Sequence, residues 1–510
     1  MHLLFAETHQ RRHFRNVLRP LFIVGWMVFF WPAVAVGWSL VIEQGKIGTT
    51  LPDILIGSWE LTGSKADVLP SINANGESAV IGFSPSSVVV TERLAFIDED
   101  QGFTLEDLRT NLSDVTLTLD YGAPGSWPAR VAVEGEVKID ATRIEHPLLV
   151  PQAWNFRGRV AGPLANLRAQ GVLVSGAGLE LDLDIQIHPG GAVSILVDSV
   201  IAGEKGIRAL TETFAGWPPL LTLNSGNAGV SVEFRIGPEG RLGVNGNASL
   251  KDVAGVFDRT AFSGVSGGVF AALEGDLLTA GLSDLTVEQV NPGVSVSSIR
   301  FSGDYAAPGR TPMKGQLTVK EAKARFLEGA LQIPAGVYDL EAGAGLVLLD
   351  IQDLSLTRLM DVYPAEGLGG SGFLSGRLPV SFSRDGIEVV KGRVSAEAPG
   401  GRLQLPAEKL QAMLGNNQAM DLVVQALQNF HYSVLSSAID YDKTGKLTLG
   451  LRIEGKNPDV RGGQPVILNL NLEDDIPALL TSLQLSGRVN EAVTERVREL
   501  LQQSGQEAMP

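Results

Sequence analysis

Apolar side chains take every second position along most of this chain. VTLTLDY sets Val115, Leu117, Leu119 and Tyr121 against Thr116, Thr118 and Asp120. RVAVEGEVKI sets Val131, Val133, Val137 and Ile139 against Glu134, Glu136 and Lys138. LELDLDIQI sets Leu179, Leu181, Leu183, Ile185 and Ile187 against Glu180, Asp182, Asp184 and Gln186. Near the C-terminus, Leu447, Leu449, Leu451 and Ile453 alternate with Thr448, Gly450, Arg452 and Glu454, and Val466, Leu468, Leu470 and Leu472 alternate around Asn469, Asn471 and Glu473. An extended backbone points successive side chains to opposite faces, so each run predicts a strand with one oily and one wet face. Strands buried on both faces, as in parallel α/β sheets, would read as solid apolar runs instead.

Turn chemistry separates the runs: YGAPGSWP at 121–128, HPGG at 188–191, IGPEG at 236–240, SRDG at 383–386, APGG at 398–401 and DKTG at 442–445. The spacing between turns, about 8–15 residues, predicts an all-β chain built as an elongated stack of strands. Helical periodicity is confined to 355–364, to 406–430 with a break at Gly415-Asn416-Asn417, and to 487–504. In the last segment Val489, Val493, Val497, Leu500 and Leu501 form one stripe, and Gly505 supplies the stop.

One segment breaks the alternation altogether. Residues 21–42, LFIVGWMVFFWPAVAVGWSLVI, carry no charge and follow Arg11, Arg12, Arg15 and Arg19. A run of this length crosses a hydrocarbon core of roughly 30 Å and exceeds the apolar part of a cleaved signal peptide. The arginines place residues 1–20 on the cytoplasmic side, and the remainder across the membrane. The expected organisation is a cytoplasmic segment at 1–20, an anchor helix at 21–42, a β region at 43–350 and a C-terminal region of strands and short helices at 351–510.

Composition narrows the function. With 59 glycines in 510 residues and 6% aromatics, the chain suits many turns and bulges better than a large aromatic core. A formal charge of −16 argues against nucleic acid, whose phosphates need a basic surface. The absence of cysteine removes disulfides, thiolate metal sites and cysteine nucleophiles. The six histidines, His2, His9, His13, His146, His188 and His431, have no metal-ligand spacing. Asp440, Asp442 and Gly445 resemble part of a calcium loop but lack its remaining ligands, and a hairpin turn accounts for them more simply. Asp98-Glu99-Asp100 reads as a solvated loop. No nucleophile elbow, phosphate loop or dinucleotide fingerprint is present, so we expect no enzyme, no cofactor and no metal.

What remains is a long apolar face that must be covered. It can close on itself as a sandwich or solenoid, or it can line a groove filled by something apolar. The C-terminal sequence bears on that choice. Residues 355–405, SLTRLMDVYPAEGLGGSGFLSGRLPVSFSRDGIEVVKGRVSAEAPGGRLQL, and the stretch 419–499 carry FHY at 430–432, DYD-x-x-G-x-L from Asp440, G-x-N-P from Gly455 and a Leu–Asn alternation from Leu468. In these features the chain resembles the YdbH family of the AsmA-like group, which includes TamB and YhdP. The resemblance implies an inner-membrane anchor, a periplasmic taco-shaped β-groove and phospholipid carriage to the outer membrane of a Gram-negative bacterium. It further implies a small YnbE-like outer-membrane lipoprotein that adds strands at the C-terminal edge. An older family label, dicarboxylate transport, has no support in the residues.

The expected lining of the groove is Val115, Leu117, Leu119, Val131, Val133, Val137, Ile139, Leu179, Leu181, Leu183, Ile185, Leu447, Leu449, Leu451, Ile453, Leu468, Leu470 and Leu472. Roughly 30 strands at about 4.8 Å spacing would extend on the order of 140 Å. The rival expectation is an envelope scaffold or tether with a sealed β core and no lipid inside.

Overall fold

The alternating runs become strands that pair with their sequence neighbours. The computed structural model describes residues 39–483 apart from 57–58, 97–101, 122–127, 313, 341–344, 363–368, 384–385, 405–423, 426 and 461. Thirty strands lie among the described residues, and every ladder between them is antiparallel where its register is given. Two compact units divide the chain. The first comprises the described residues up to Pro219 and Asn227–Ala248, and the second comprises Leu220–Gly226 and the described residues from Ser249 onward.

The first unit begins with short strands: β1 (Ser39–Ile42), β2 (Ile47–Thr50), β3 (Ile54–Ile56), β4 (Trp59–Thr62), β5 (Lys65–Val68), β6 (Pro70–Asn75), β7 (Ser78–Phe83) and β8 (Val88–Phe96). Longer ones follow: β9 (Phe103–Tyr121), β10 (Pro128–His146), β11 (Leu149–Pro163), β12 (Arg168–Ser175), β13 (Glu180–Ile187) and β14 (Val193–Ala202). Helix α1 (Gly203–Thr213) comes next. Strands β15 (Leu221–Ile236) and β16 (Leu242–Phe257) are each shared between the two units.

From β9 to β15 each strand pairs with the next in sequence. The other side of β9 is split between two shorter ladders. Residues 116–120 take β7, with β6 and β1 beyond it, and residues 103–111 take β8. Polar groups tie the fork. Ser87 is fully buried and its Oγ accepts from Leu69 N at 2.9 Å, while Ser64 Oγ and Thr91 Oγ1, both buried, share a hydrogen bond of 3.0 Å.

The second unit holds β17 (Thr260–Glu274), β18 (Leu277–Asn291), β19 (Val296–Pro308), β20 (Gln316–Phe326), β21 (Gly329–Gln332), β22 (Gly336–Asp339) and β23 (Gly345–Ser355). It continues through helix α2 (Leu356–Val362), β24 (Gly369–Ser371), β25 (Phe373–Ser383), β26 (Gly386–Ala396), β27 (Gly401–Gln404), β28 (Phe430–Tyr441), β29 (Lys446–Lys456) and β30 (Pro465–Asp475). The main ladder runs β17–β18–β19–β20–β21–β23–β25–β26–β28–β29–β30. Among the described residues β30 pairs only with β29.

A recurrent device interrupts the alternation. Aliphatic-x-Asp-aliphatic occurs at Leu105–Leu108, Leu112–Val115, Leu250–Val253, Leu282–Leu285 and Ile351–Leu354, and in each the Asp has positive φ, between 48° and 55°. Each Asp sits mid-strand, where Asp tolerates the left-handed region better than most side chains. The extra residue makes a β-bulge and restores phase. Leu282 and Leu285 stand opposite Gly303 and Phe301, two residues apart on β19, and so share a face. Across four of these bulges a glycine on the next strand admits the close approach. A Cβ on Gly135, Gly226, Gly267 or Gly329 would meet the Cα of Val115, Val253, Leu285 or Leu354 at 2.5–2.7 Å. Freed amides are capped from the neighbouring strand: Asp252 N donates to Ser266 Oγ at 2.9 Å, and Asp353 N donates to Ser375 Oγ at 3.0 Å.

The structure adjusts the helix expectations. Residues 39–42, the end of the predicted anchor, form β1 and pair with β6, because Leu40 and Ile42 pack on Ile72 and its neighbours. Residues 21–38 lie outside the described residues, as does the whole of 487–504. No helix among the described residues is long and apolar enough to cross a membrane. The 355–364 expectation matches α2, and of 406–430 the described part is helical at 424, 425 and 427. Helix α1 was not anticipated.

Gly267→Ala should destabilise the chain by about 1–3 kcal/mol, since it adds a clash to a strained φ. Gly48→Ala, which meets nothing within 4 Å, should be near neutral. Urea unfolding followed by circular dichroism checks both, and equal midpoints would contradict the bulge account.

Candidate functional site

Residues directly opposite on adjacent antiparallel strands project to the same face, so register alone assembles the site. In the first unit Leu117 faces Val133 and Leu119 faces Val131. Val137 stands between Leu112 and Gly158, and Ile139 faces Phe156. Phe156 then faces Leu173, which faces Leu181. Leu183 and Ile185 face Val197 and Ile195, which face Val232 and Phe234. Val115 enters this face after the Asp114 bulge, and Leu179 ends it beside Ser175, whose N donates to its carbonyl at 3.0 Å. All eleven first-unit residues expected from the sequence therefore lie on one apolar face. So do Leu112, Phe156, Leu173, Val197, Val232 and Phe234, which were missed.

The opposite face carries the charges. Arg159 pairs with Glu134 at 2.5 Å, Arg168 Nε donates to Asp184 Oδ1 at 2.9 Å, and Arg235 pairs with Glu233 at 2.6 Å. The hydrogen bond from Arg168 holds the Asp184 carboxyl below its ordinary range, and Arg235 does the same for Glu233. These exposed pairs keep one face wet and contribute little stability each.

In the second unit Leu449 faces Ile439 on one side and Leu472 on the other, Leu451 faces Leu470, and Ile453 lies between Leu435 and Leu468. The same face continues through Val394 and Gly376 to Ile351 and Leu331, and, separately, through Leu285, Phe301 and Ala322. Most of these side chains are half-buried. A stacked second sheet would seal such side chains completely.

Each unit covers one end of its face. In the first, α1 lies there with Ile207, Ala209 and Thr213 buried, next to buried Trp154, Leu179 and Ile201. Ser175 Oγ and Thr213 Oγ1 are 3.0 Å apart, and Gln152 Nε2 donates to Glu212 O at 3.3 Å. In the second, Leu356 of α2, Leu403, Val424, Leu427 and Phe430 form a core with Tyr432, Leu435 and Ile453. Leu427 and Phe430 are 0% exposed, and Tyr432 Oη donates to Ser371 O at 2.8 Å. Burial raises the Tyr432 phenol above its ordinary pKa. This divides the expected lining. Ile453 belongs to the core, with Leu451, Leu468 and Leu470 packed against it, while Leu447, Leu449 and Leu472 lie toward the uncovered end.

The polar motifs resolve into structure. Asp442 Oδ1 accepts from Thr444 N, Thr444 Oγ1 and Lys446 N at 2.6–3.0 Å, closing the β28–β29 hairpin and lowering its own pKa. Asp440 Oδ1 accepts from Lys391 N at 2.8 Å, capping the bulge on β26. His188 Nε2 is 2.9 Å from Ser194 Oγ, and His146 Nδ1 accepts from Leu148 N at 3.2 Å. No three metal-ligating side chains cluster among the described residues. Residues 98–100 lie outside them.

A family model described as YdbH-like, intermembrane phospholipid transport protein YdbH, matches residues 60–498. No curated protein matches the chain, and no solved structure does.

An uncovered face and a sealed core differ in what truncation costs. Leu449→Ala and Leu183→Ala should each cost about 1–2 kcal/mol, because only part of each side chain leaves water on folding. Phe430→Ala should cost about 3–5 kcal/mol, the value for a sealed aromatic. Chemical denaturation of the three variants is the check, and equal costs would mean that all three sites are sealed.

Proposed function

The chain belongs to the YdbH-like family, and on that premise we propose that it carries phospholipids between membranes on the apolar face of each unit. The observation that supports this reading is the register itself. It keeps Leu183, Val197 and Val232 in one row, and Leu349, Leu378, Val389, Ile439, Leu449 and Leu472 on one face, half-buried or buried only at Val389. Acyl chains complete the burial that the protein leaves unfinished. Each methylene removed from water contributes about 0.8 kcal/mol wherever it lies on such a face. Neighbouring positions therefore bind nearly alike, and a lipid shifts along the face without a deep trap. No covalent bond is made or broken.

In this reading the apolar sequence before β1 anchors the chain in the inner membrane. The remainder lies in the periplasm, where the headgroups stay in water. Toward the C-terminus, the side of β30 that no described strand covers is the docking site for an extended segment of a small YnbE-like outer-membrane lipoprotein, joined by main-chain hydrogen bonds.

The test is the lipid that accompanies the purified chain, quantified by mass spectrometry. Leu183→Arg combined with Leu449→Arg places one charge on each apolar face and should lower bound phospholipid several-fold with the β spectrum unchanged. Leu196→Arg, on the opposite face of the first unit, should leave the load as it was. An unchanged load in the double variant would favour the sealed scaffold.

A further inference from the structure

The polar face of the second unit holds a depression that lipid carriage does not use. Its volume is about 610 Å³, and its lining includes Asp350, Arg377, Arg393, Ser395, Ser436 and Gly450. That size lies within the range of small-molecule sites, roughly 300–1,000 Å³. Register explains its contents: Asp350, Arg377, Arg393, Ala438 and Gly450 are consecutive partners on β23, β25, β26, β28 and β29. Ser395 and Ser436 face each other one row further along.

Two features of this row are poor choices for stability. Arg377 and Arg393 stand directly opposite each other, an arrangement of like charges that weakens a ladder. Arg377 Nε donates to Asp350 Oδ1 at 2.5 Å, but Arg393 has no ion-pair partner among the described residues. The one carboxylate of the row is thus taken by Arg377, and Arg393 is left without a counter-charge on a chain whose formal charge is −16. The second feature is Gly450, in the middle of β29. Its backbone is not strained, and a Cβ there would meet only Ala438 Cβ at 3.7 Å and Asn471 Oδ1 at 3.8 Å. Glycine weakens a strand, and packing does not demand it here. Its absent side chain leaves the floor of the depression open.

The geometry points to a binding site for a phosphate monoester on this face, separate from the apolar one. Forked donors on adjacent strands stand beside hydroxyls in the next row, all lining one depression. A tetrahedral oxyanion accepts from all of them, whereas a carboxylate accepts in its own plane. Such a ligand supplies the negative charge that Arg393 lacks.

Calorimetric titration of the purified full chain with glycerol 3-phosphate tests the site. Saturable binding is expected, weakened at least tenfold by Arg393→Gln and by Gly450→Val, whose methyl groups fill the floor. Both variants should melt no lower than the parent, since one relieves repulsion and the other removes a strand glycine. Titration with dihexanoyl phosphatidic acid identifies the source. Tighter binding than glycerol 3-phosphate, lost in Arg393→Gln, assigns a lipid headgroup, and equal or weaker binding assigns a soluble ester. The proposal is overturned if neither probe saturates, if both variants bind as the parent does, or if Arg393→Gln melts markedly lower, which would make Arg393 structural.

Discussion

Phase is the constraint on which this structure depends. A strand side chain lies on one face or the other, and a slip of one residue moves a whole row of leucines into water. Where one face is apolar through many successive strands, each ladder must hand the phase to the next without error. The bulges are the places where this is managed. An Asp with positive φ inserts one residue, the opposing glycine admits the close approach, and the apolar face resumes three positions on instead of two. The inserted residue also twists the strand more strongly, which a long ladder needs if its edges are not to lie flat.

Holding phase does not by itself hold the fold. The half-buried rows gain only part of the stabilisation that full burial of an aliphatic side chain would give, about 1.5–3 kcal/mol. Backbone ladders and same-face neighbours provide the rest locally. Fully enclosed packing lies at the covered ends, around Phe430 and Leu427 in one unit and at Thr213 of α1 in the other, with smaller buried clusters such as Ile72, Ala74 and Ala79 elsewhere. A protein built this way leaves rows of half-buried apolar side chains beside its covered ends. That surface is what a lipid-carrying face requires, and it is also why charges crowd the opposite face: Arg168 with Asp184 and Arg377 with Asp350 keep that side hydrated.

Much of this was legible in the sequence. Period-two runs such as 115–121 and 447–453 gave the strands and their apolar sides, because nothing in the fold overrides a half-buried strand whose neighbours share its pattern. Leu112 was lost because it sits across a bulge from Val115, where strict alternation fails. The signal was present as aliphatic-x-Asp-aliphatic with a glycine on the adjoining strand, and the pairing of the two shows only in the register. Helix α1 was missed because its short GEKGIRALTET segment follows a strand without a capping side chain. The division of the C-terminal lining also escaped the sequence. Ile453 and Leu449 are equivalent in pattern, and only the segment carrying Leu427 and Phe430, folded over one end, tells them apart.

The most direct measurement places a photoreactive residue at Leu449 in living cells, with Thr448 as the opposite-face control, and follows radiolabelled phospholipid onto the chain. Phospholipid on the apolar face predicts label at Leu449 and none at Thr448. A folded, abundant protein without label at Leu449, and likewise without label at Leu183, would contradict it.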